Sequence, residues 1–213
     1  MNKTLIEYLK AKYPDVTIVM ASKYLEADAF QPFIDAGIRD FGESRVEAFL
    51  EKLETFRHLG ITKHFLGPVQ SKKIKKIADD VDVLHSLDRV KIAREFDKKR
   101  TRPLPCFIQI NISGEPQKHG LKPEALPDFL ENIRDLKFIE PIGLMGMAAL
   151  TEDETVLNRQ FALLNSLREK HRKDHPMLNN LSMGMSNDYE IALKHGASHL
   201  RLGRILLKEE SHG

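Results

Sequence analysis

Short apolar runs alternate with longer amphipathic stretches along the whole chain, and this alternation most limits the folds open to it. The clearest run, Val16-Thr17-Ile18-Val19-Met20-Ala21, is β-branched and reads as a buried strand. Seven more strand candidates follow: Asp40–Gly42, Lys63–Leu66, Asp82–His85, Pro105–Ile112, Ile142–Met145, Asn180–Ser182 and His199–Leu202. Helix patterns lie between them. Leu126, Phe129, Leu130, Ile133 and Leu136 share one helical face, as do Leu157, Phe161, Leu164 and Leu167. Thr4-Leu5-Ile6-Glu7 and Thr151-Glu152-Asp153-Glu154 have the spacing of capping boxes.

Eight strand–helix units in 213 residues fit two α/β architectures, a compact (β/α)8 TIM barrel or an open doubly wound sheet. No G-x-G-x-x-G follows the first strand, so the dinucleotide signature of the open sheet is missing. No Pro/Gly/Ser-rich linker divides the chain, which reads as one domain over residues 1–213. The helix before the first strand would lie outside a barrel.

Lys+Arg number 33 and Asp+Glu 31, a balance that argues against charge-driven binding to nucleic acid or membrane. No apolar run is long enough to cross a bilayer, and the N-terminus lacks the pattern of a signal peptide. Cys106, the single cysteine, cannot form an internal disulfide, so a cytoplasmic location is expected. No Cys/His cluster has zinc spacing, and no metal is expected. His64 and His85 read as interior histidines bonded to backbone groups.

In a barrel, reactive groups gather where strands end. Lys23 follows the first apolar run directly, where a lysine amine can attack an aldehyde. The loops after strands seven and eight often hold phosphate in barrels. Here they carry Ser182, Gly184, Gly203 and Arg204: a hydroxyl, two glycines that admit an anion close to the backbone, and a cation. A mouth lysine beside such a cup describes a receptor for a phosphorylated aldehyde, with pyridoxal 5′-phosphate (PLP) the obvious candidate.

Several motifs then carry a resemblance. They are Ala21-Ser22-Lys23, Ala36 to Glu43, His64-Phe65-Leu66-Gly67 with Gln70 to Lys73, and His85-Ser86-Leu87-Asp88-Arg89. Gln109 to Glu115, Leu181 to Ser186 and Arg201-Leu202-Gly203 complete the set. Together they resemble the PLP homeostasis protein family, which is related to the barrel domain of alanine racemase. The resemblance implies a single (β/α)8 barrel carrying PLP as a Schiff base on Lys23, acting in intracellular PLP homeostasis without substantial racemase activity. It implies that Ser182, Gly203 and Arg204 hold the phosphate and that Arg201 faces the pyridine nitrogen. It also implies that Asn111 and Met145 point at the ring. Partners would be PLP itself and PLP-dependent apoenzymes, with the barrel a monomer.

Four positions depart from the family pattern: Ser44 stands for Asn, Pro68-Val69 for His-Leu, and Arg204 for a small hydroxyl residue. The competing readings are an amino-acid racemase of weak activity and a barrel that has lost its cofactor. Racemisation needs acid/base groups on both faces of the substrate carbon, and no second base is identifiable in the sequence.

Overall fold

The computed structural model describes residues 1–26 and 29–208. Eight strands, β1 (Thr17–Ala21), β2 (Asp40–Glu43), β3 (Thr62–Phe65), β4 (Val83–Leu87), β5 (Leu104–Ile110), β6 (Ile139–Gly146), β7 (Asn180–Ser182) and β8 (His199–Leu202), pair in chain order. All the pairings are parallel, and β8 closes on β1 from Thr17–His199 to Met20–Leu202. The chain therefore forms a closed (β/α)8 barrel, and the open-sheet alternative is ruled out.

The helices are α1 (Lys3–Lys12), α2 (Gln31–Asp35), α3 (Val46–Glu51), α4 (Leu53–Leu59), α5 (Ser71–Ile77), α6 (Val90–Asp97), α7 (Leu126–Ile133), α8 (Glu154–His171), α9 (Tyr189–Lys194) and α10 (Arg204–Leu207). On α7 the 3-and-4 spacing buries Leu126, Phe129, Leu130 and Ile133, and Leu136 lies past the helix end. On α5, Ile74 and Ile77 are buried, while Lys73 reaches out to pair with Glu47 at 2.7 Å. The extra helix α1 lies outside the barrel as expected, its Ile6 and Leu9 buried and the Asn2 amide bonded to Leu206 O at 2.8 Å. None of the helices among the described residues is long and apolar enough to cross a membrane.

Local chemistry shifts several boundaries. Asn2, not Thr4, caps α1, accepting from the Leu5 amide at 3.0 Å. Asp153, not Thr151, caps α8, accepting from Thr155 N at 2.8 Å. A carboxylate or amide oxygen adjoining the first turn displaces the hydroxyl of the expected box. Strand β5 stops at Ile110 rather than Ile112, because Asn111 Oδ1 accepts from Ser113 Oγ and Gly114 N, both at 3.1 Å, and turns the chain. Strand β6 begins three residues before the expected Ile142, and the register shifts opposite Cys106/Phe107, where Pro141 has no amide to donate.

Aromatic rings fill the layer between the barrel and the helices on one side. Phe30 packs on Phe41 at 5.0 Å and on Phe56 at 5.5 Å, and Phe49 continues the cluster to Phe65. Cys106 is buried, donates to Leu104 O, and has its thiol pKa pushed up by burial, so it is an inert core residue.

Candidate functional site

A cavity of about 250 Å³ opens at the C-terminal end of the barrel. Its walls come from the ends of four strands: Ala21 and Tyr24 after β1, Ala148–Thr151 after β6, Met185–Asp188 after β7, and Arg201, Gly203 and Arg204 at β8. This is the face on which a parallel barrel collects its loops and ligands.

Lys23 sits in a single 3-10 turn, Ser22–Tyr24, directly after β1. Its side chain is exposed, with Nζ 5.1 Å from the centroid of the Tyr24 ring. Tyr24, itself 55% exposed, lines the cavity, whereas Lys23, its neighbour in the turn, is not among the lining residues. The turn is anchored from below. Ser22 Oγ donates to Glu43 Oε1 at 3.0 Å, and Lys52 Nζ reaches both Glu43 Oε1 at 2.5 Å and the Ser22 carbonyl at 2.6 Å. Glu43 is thus consumed by structural contacts.

Arg201, Gly203 and Arg204 do share the cavity wall. Arg201 is buried, and its guanidinium donates from Nη1 to Ser182 Oγ at 2.6 Å and from Nη2 to Gly146 O at 3.0 Å. Burial draws the guanidinium down to about 10, opposed by the nearby Asp188, so it stays cationic at neutral pH. Asp188 is raised by burial despite accepting from the Met185 amide at 2.6 Å. Arg204 is exposed and opens α10, a single turn of four residues.

Ser182, Met145 and Asn111, like Lys23, do not line the cavity. Ser182 is fully buried inside the barrel, its hydroxyl held between Arg201 and His85 Nδ1, and the serine on the cavity wall is Ser186. Ser186 Oγ accepts from the Ile205 amide at 3.3 Å, which ties the β7 loop to α10. Met145 is buried in β6 below the cavity, where Ala148 to Thr151 form the wall. Asn111 donates to Glu115 O at 2.9 Å, organises its own loop after β5 and does not line the cavity. Gly184 is also not on the wall. With φ at +92°, it makes the turn after β7, where a Cβ would come within 2.8 Å of Ala192 Cβ.

The two histidines bond to side chains, not to backbone as expected. His64 Nδ1 and His85 Nε2 are 2.8 Å apart, and His64 Nε2 is 2.9 Å from Asp40 Oδ1. No metal-binding cluster occurs among the described residues. Sequence reasoning missed Tyr24, Ser186 as a wall residue, Asp188 and Lys52. Tyr24 adjoins the Ala21-Ser22-Lys23 motif and Ser186 ends the Leu181 to Ser186 motif, so both could have been found by asking which residues share the loop. Lys52 carried no local signal.

The model of the alanine racemase N-terminal domain family matches residues 6–210. The PLP homeostasis protein of Pseudomonas aeruginosa is 36% identical over 201 residues, covering 93% of this chain and 86% of that one. The chain belongs to the PLP homeostasis protein family. A second member of that family, from Aquifex aeolicus, is 33% identical over 196 residues, covering 90% of this chain and 86% of its own. Among solved structures, PipY of Synechococcus elongatus with PLP bound superposes with a TM-score of 0.88 at 28% identity, covering 98% of this chain and all of PipY.

Proposed function

We propose that the chain binds PLP covalently through Lys23 and serves PLP homeostasis inside the cell as a one-domain barrel without substantial racemase activity. The observation that carries this reading is the mouth cavity. A cation, a hydroxyl and glycine backbone line it, and the amine of Lys23 belongs to the same short turn as its wall residue Tyr24. That donor set fits an aldehyde joined to a phosphate. Arg204 supplies a guanidinium, Ser186 supplies a hydroxyl, and Gly203 leaves its backbone unscreened by a side chain.

Bound PLP supplies an electrophilic aldehyde and an aromatic electron sink. The residues of the chain do the rest. Lys23, with Nζ 5.1 Å from the ring centroid of the wall residue Tyr24, is the amine that would form the Schiff base. Arg201, held by two hydrogen bonds, is the donor available to a ring nitrogen. A guanidinium cannot surrender its proton to that nitrogen as a carboxylic acid could, which keeps the ring a weak electron sink. Such a site stores a cofactor better than it drives carbanion chemistry. Ser182 takes the role of holding Arg201, and Met145 and Asn111 act as support beneath and beside the cavity. The near-neutral charge balance and single buried thiol suit a cytoplasmic monomer that exchanges PLP with apoenzymes.

The test is to incubate the purified chain with PLP, reduce with borohydride and map the label. The label should fall on the peptide containing Lys23, and Lys23→Ala should remove both the label and the visible absorption band. A label on Lys52 or Lys118 in the parent would refute the assignment.

A further inference from the structure

Five side chains from five strands form one unbroken hydrogen-bonded chain across the barrel interior. Asp40 on β2 meets His64 on β3, His64 meets His85 on β4, His85 meets Ser182 on β7, and Ser182 meets Arg201 on β8. The four contacts measure 2.9, 2.8, 2.8 and 2.6 Å in that order. Strands β4 and β7 are not neighbours in the sheet, so the His85–Ser182 contact crosses the lumen. One end of the chain is Asp40, on a hollow at the N-terminal end of the barrel. The other end is Arg201, on the wall of the mouth cavity.

The ends fix the direction of the chain. A guanidinium only donates and a carboxylate only accepts. His85 is fully buried and stacked on Phe107 at 4.5 Å, an apolar site that favours neutral imidazole. With both histidines neutral, one arrangement satisfies every contact. His64 gives its Nε2–H to Asp40 and accepts at Nδ1. His85 gives its Nε2–H to His64 and accepts at Nδ1. Ser182 gives its hydrogen to His85 and offers a lone pair to Arg201. The reverse polarity would set a bare His64 Nε2 lone pair against the carboxylate.

We propose that His85, oriented by His64 and Asp40, is a positioning residue that acts through Ser182 to hold Arg201 against the mouth cavity. The proposal rests on the PLP reading for what Arg201 contacts, but the polarity of the chain does not depend on it. Without an acceptor at His85 Nδ1, the Ser182 hydrogen has no partner except the direction of Arg201, and the guanidinium loses one of its two anchors. Arginine has large rotamer freedom, so loss of an anchor spreads it over several orientations.

The first experiment uses the apo chain with 15N-labelled histidine and reads side-chain nitrogen shifts at neutral pH. His64 and His85 should both be neutral and carry their proton on Nε2; a proton on His85 Nδ1 overturns the proposal. The second measures PLP affinity and borohydride trapping in variants whose folding is checked by thermal melting. His85→Phe keeps the stacking and removes the acceptor, and should weaken PLP binding about tenfold, with trapping still on Lys23. His85→Gln restores an acceptor and should recover most of the loss. Asp40→Asn, at the solvent-facing end, covers the case in which His85→Phe does not fold. It should shift the His85 nitrogen resonances and weaken PLP binding in parallel. Unchanged affinity in His85→Phe, or resonances that stay put in Asp40→Asn, overturns the proposal. Failure of the parent chain to bind PLP would instead remove the cofactor reading, with the nitrogen shifts still deciding the polarity.

Discussion

Lys52 Nζ lies 2.5 Å from Glu43 Oε1 and 2.6 Å from the carbonyl of Ser22, so a partly buried lysine on a buried carboxylate holds the residue immediately before Lys23. Glu43 is 2% exposed and Lys52 14%. Removing one partner of such a pair leaves a buried charge without compensation, which typically costs about 3–5 kcal/mol. Lys52→Ala should therefore lower stability by that order in urea unfolding. Glu43→Gln should cost less, because the amide oxygen still accepts from Ser22 and Lys52. Loss below about 1 kcal/mol in Lys52→Ala would show the pair to be solvated after all.

Histidines in the barrel interior make the fold acid-sensitive. Burial, reinforced by His64 and Arg201 and opposed by Asp40, draws His199 down to about 4, and burial draws His85 well below its ordinary value. In the unfolded chain both would titrate near the ordinary histidine value of about 6.5. Below that pH the unfolded state binds more protons than the folded one, so stability falls as pH falls. The window runs from about 6.5 down to 4 for His199. Between pH 6.5 and 5, His199 alone should account for about 1.5 kcal/mol. Chemical unfolding at a series of pH values should show this slope, and His199→Gln should flatten it. An unchanged slope in the variant would place the acid sensitivity elsewhere.

The barrel was legible because its signals are periodic and local. Val16–Ala21 and the α7 face stand out in any window, and their burial in the structure follows the spacing directly. Lys23 at a strand end was legible for the same reason. Contacts between strands remote in sequence were not. Ser182 reads as a loop hydroxyl, yet its partners His85 and Arg201 are 97 and 19 residues away, and only barrel closure turns it inward. Lys52 lies 30 residues from Ser22, on the link between α3 and α4, and nothing in its neighbours marks it as buried.

Racemisation should be negligible. It needs acid/base groups on opposite faces of the substrate carbon. The titratable residues on the cavity wall among the described residues are Tyr24, Asp188, Arg201 and Arg204. Tyr24 lies beside Lys23 on the same loop, and Asp188 is engaged by the Met185 amide near Arg201. Among the described residues the cavity wall offers no other candidate base. Assays with alanine and other amino acids should find no turnover near the ordinary enzyme scale of about 10 per second. A rate of that order would overturn the homeostasis reading.

Arg204 is the position at which the chain departs most informatively from its family's pattern, which has a small hydroxyl residue there. Its side chain is exposed at the cavity wall rather than wedged into it, so it can meet an anion without crowding it. Arg204→Thr should therefore weaken PLP binding. The worth of a hydrogen bond to a charged group is about 1.5–3 kcal/mol. Exposure and screening place Arg204 at the low end of that range, or about tenfold in affinity. Measuring pyridoxal beside PLP isolates the phosphate: the substitution should leave pyridoxal affinity unchanged and narrow the gap between the two ligands. Tighter PLP binding in Arg204→Thr would mean that the arginine obstructs the site. Equal affinity of the parent chain for both ligands would mean that Ser186, Gly203 and Arg204 hold no phosphate, whatever Lys23 does.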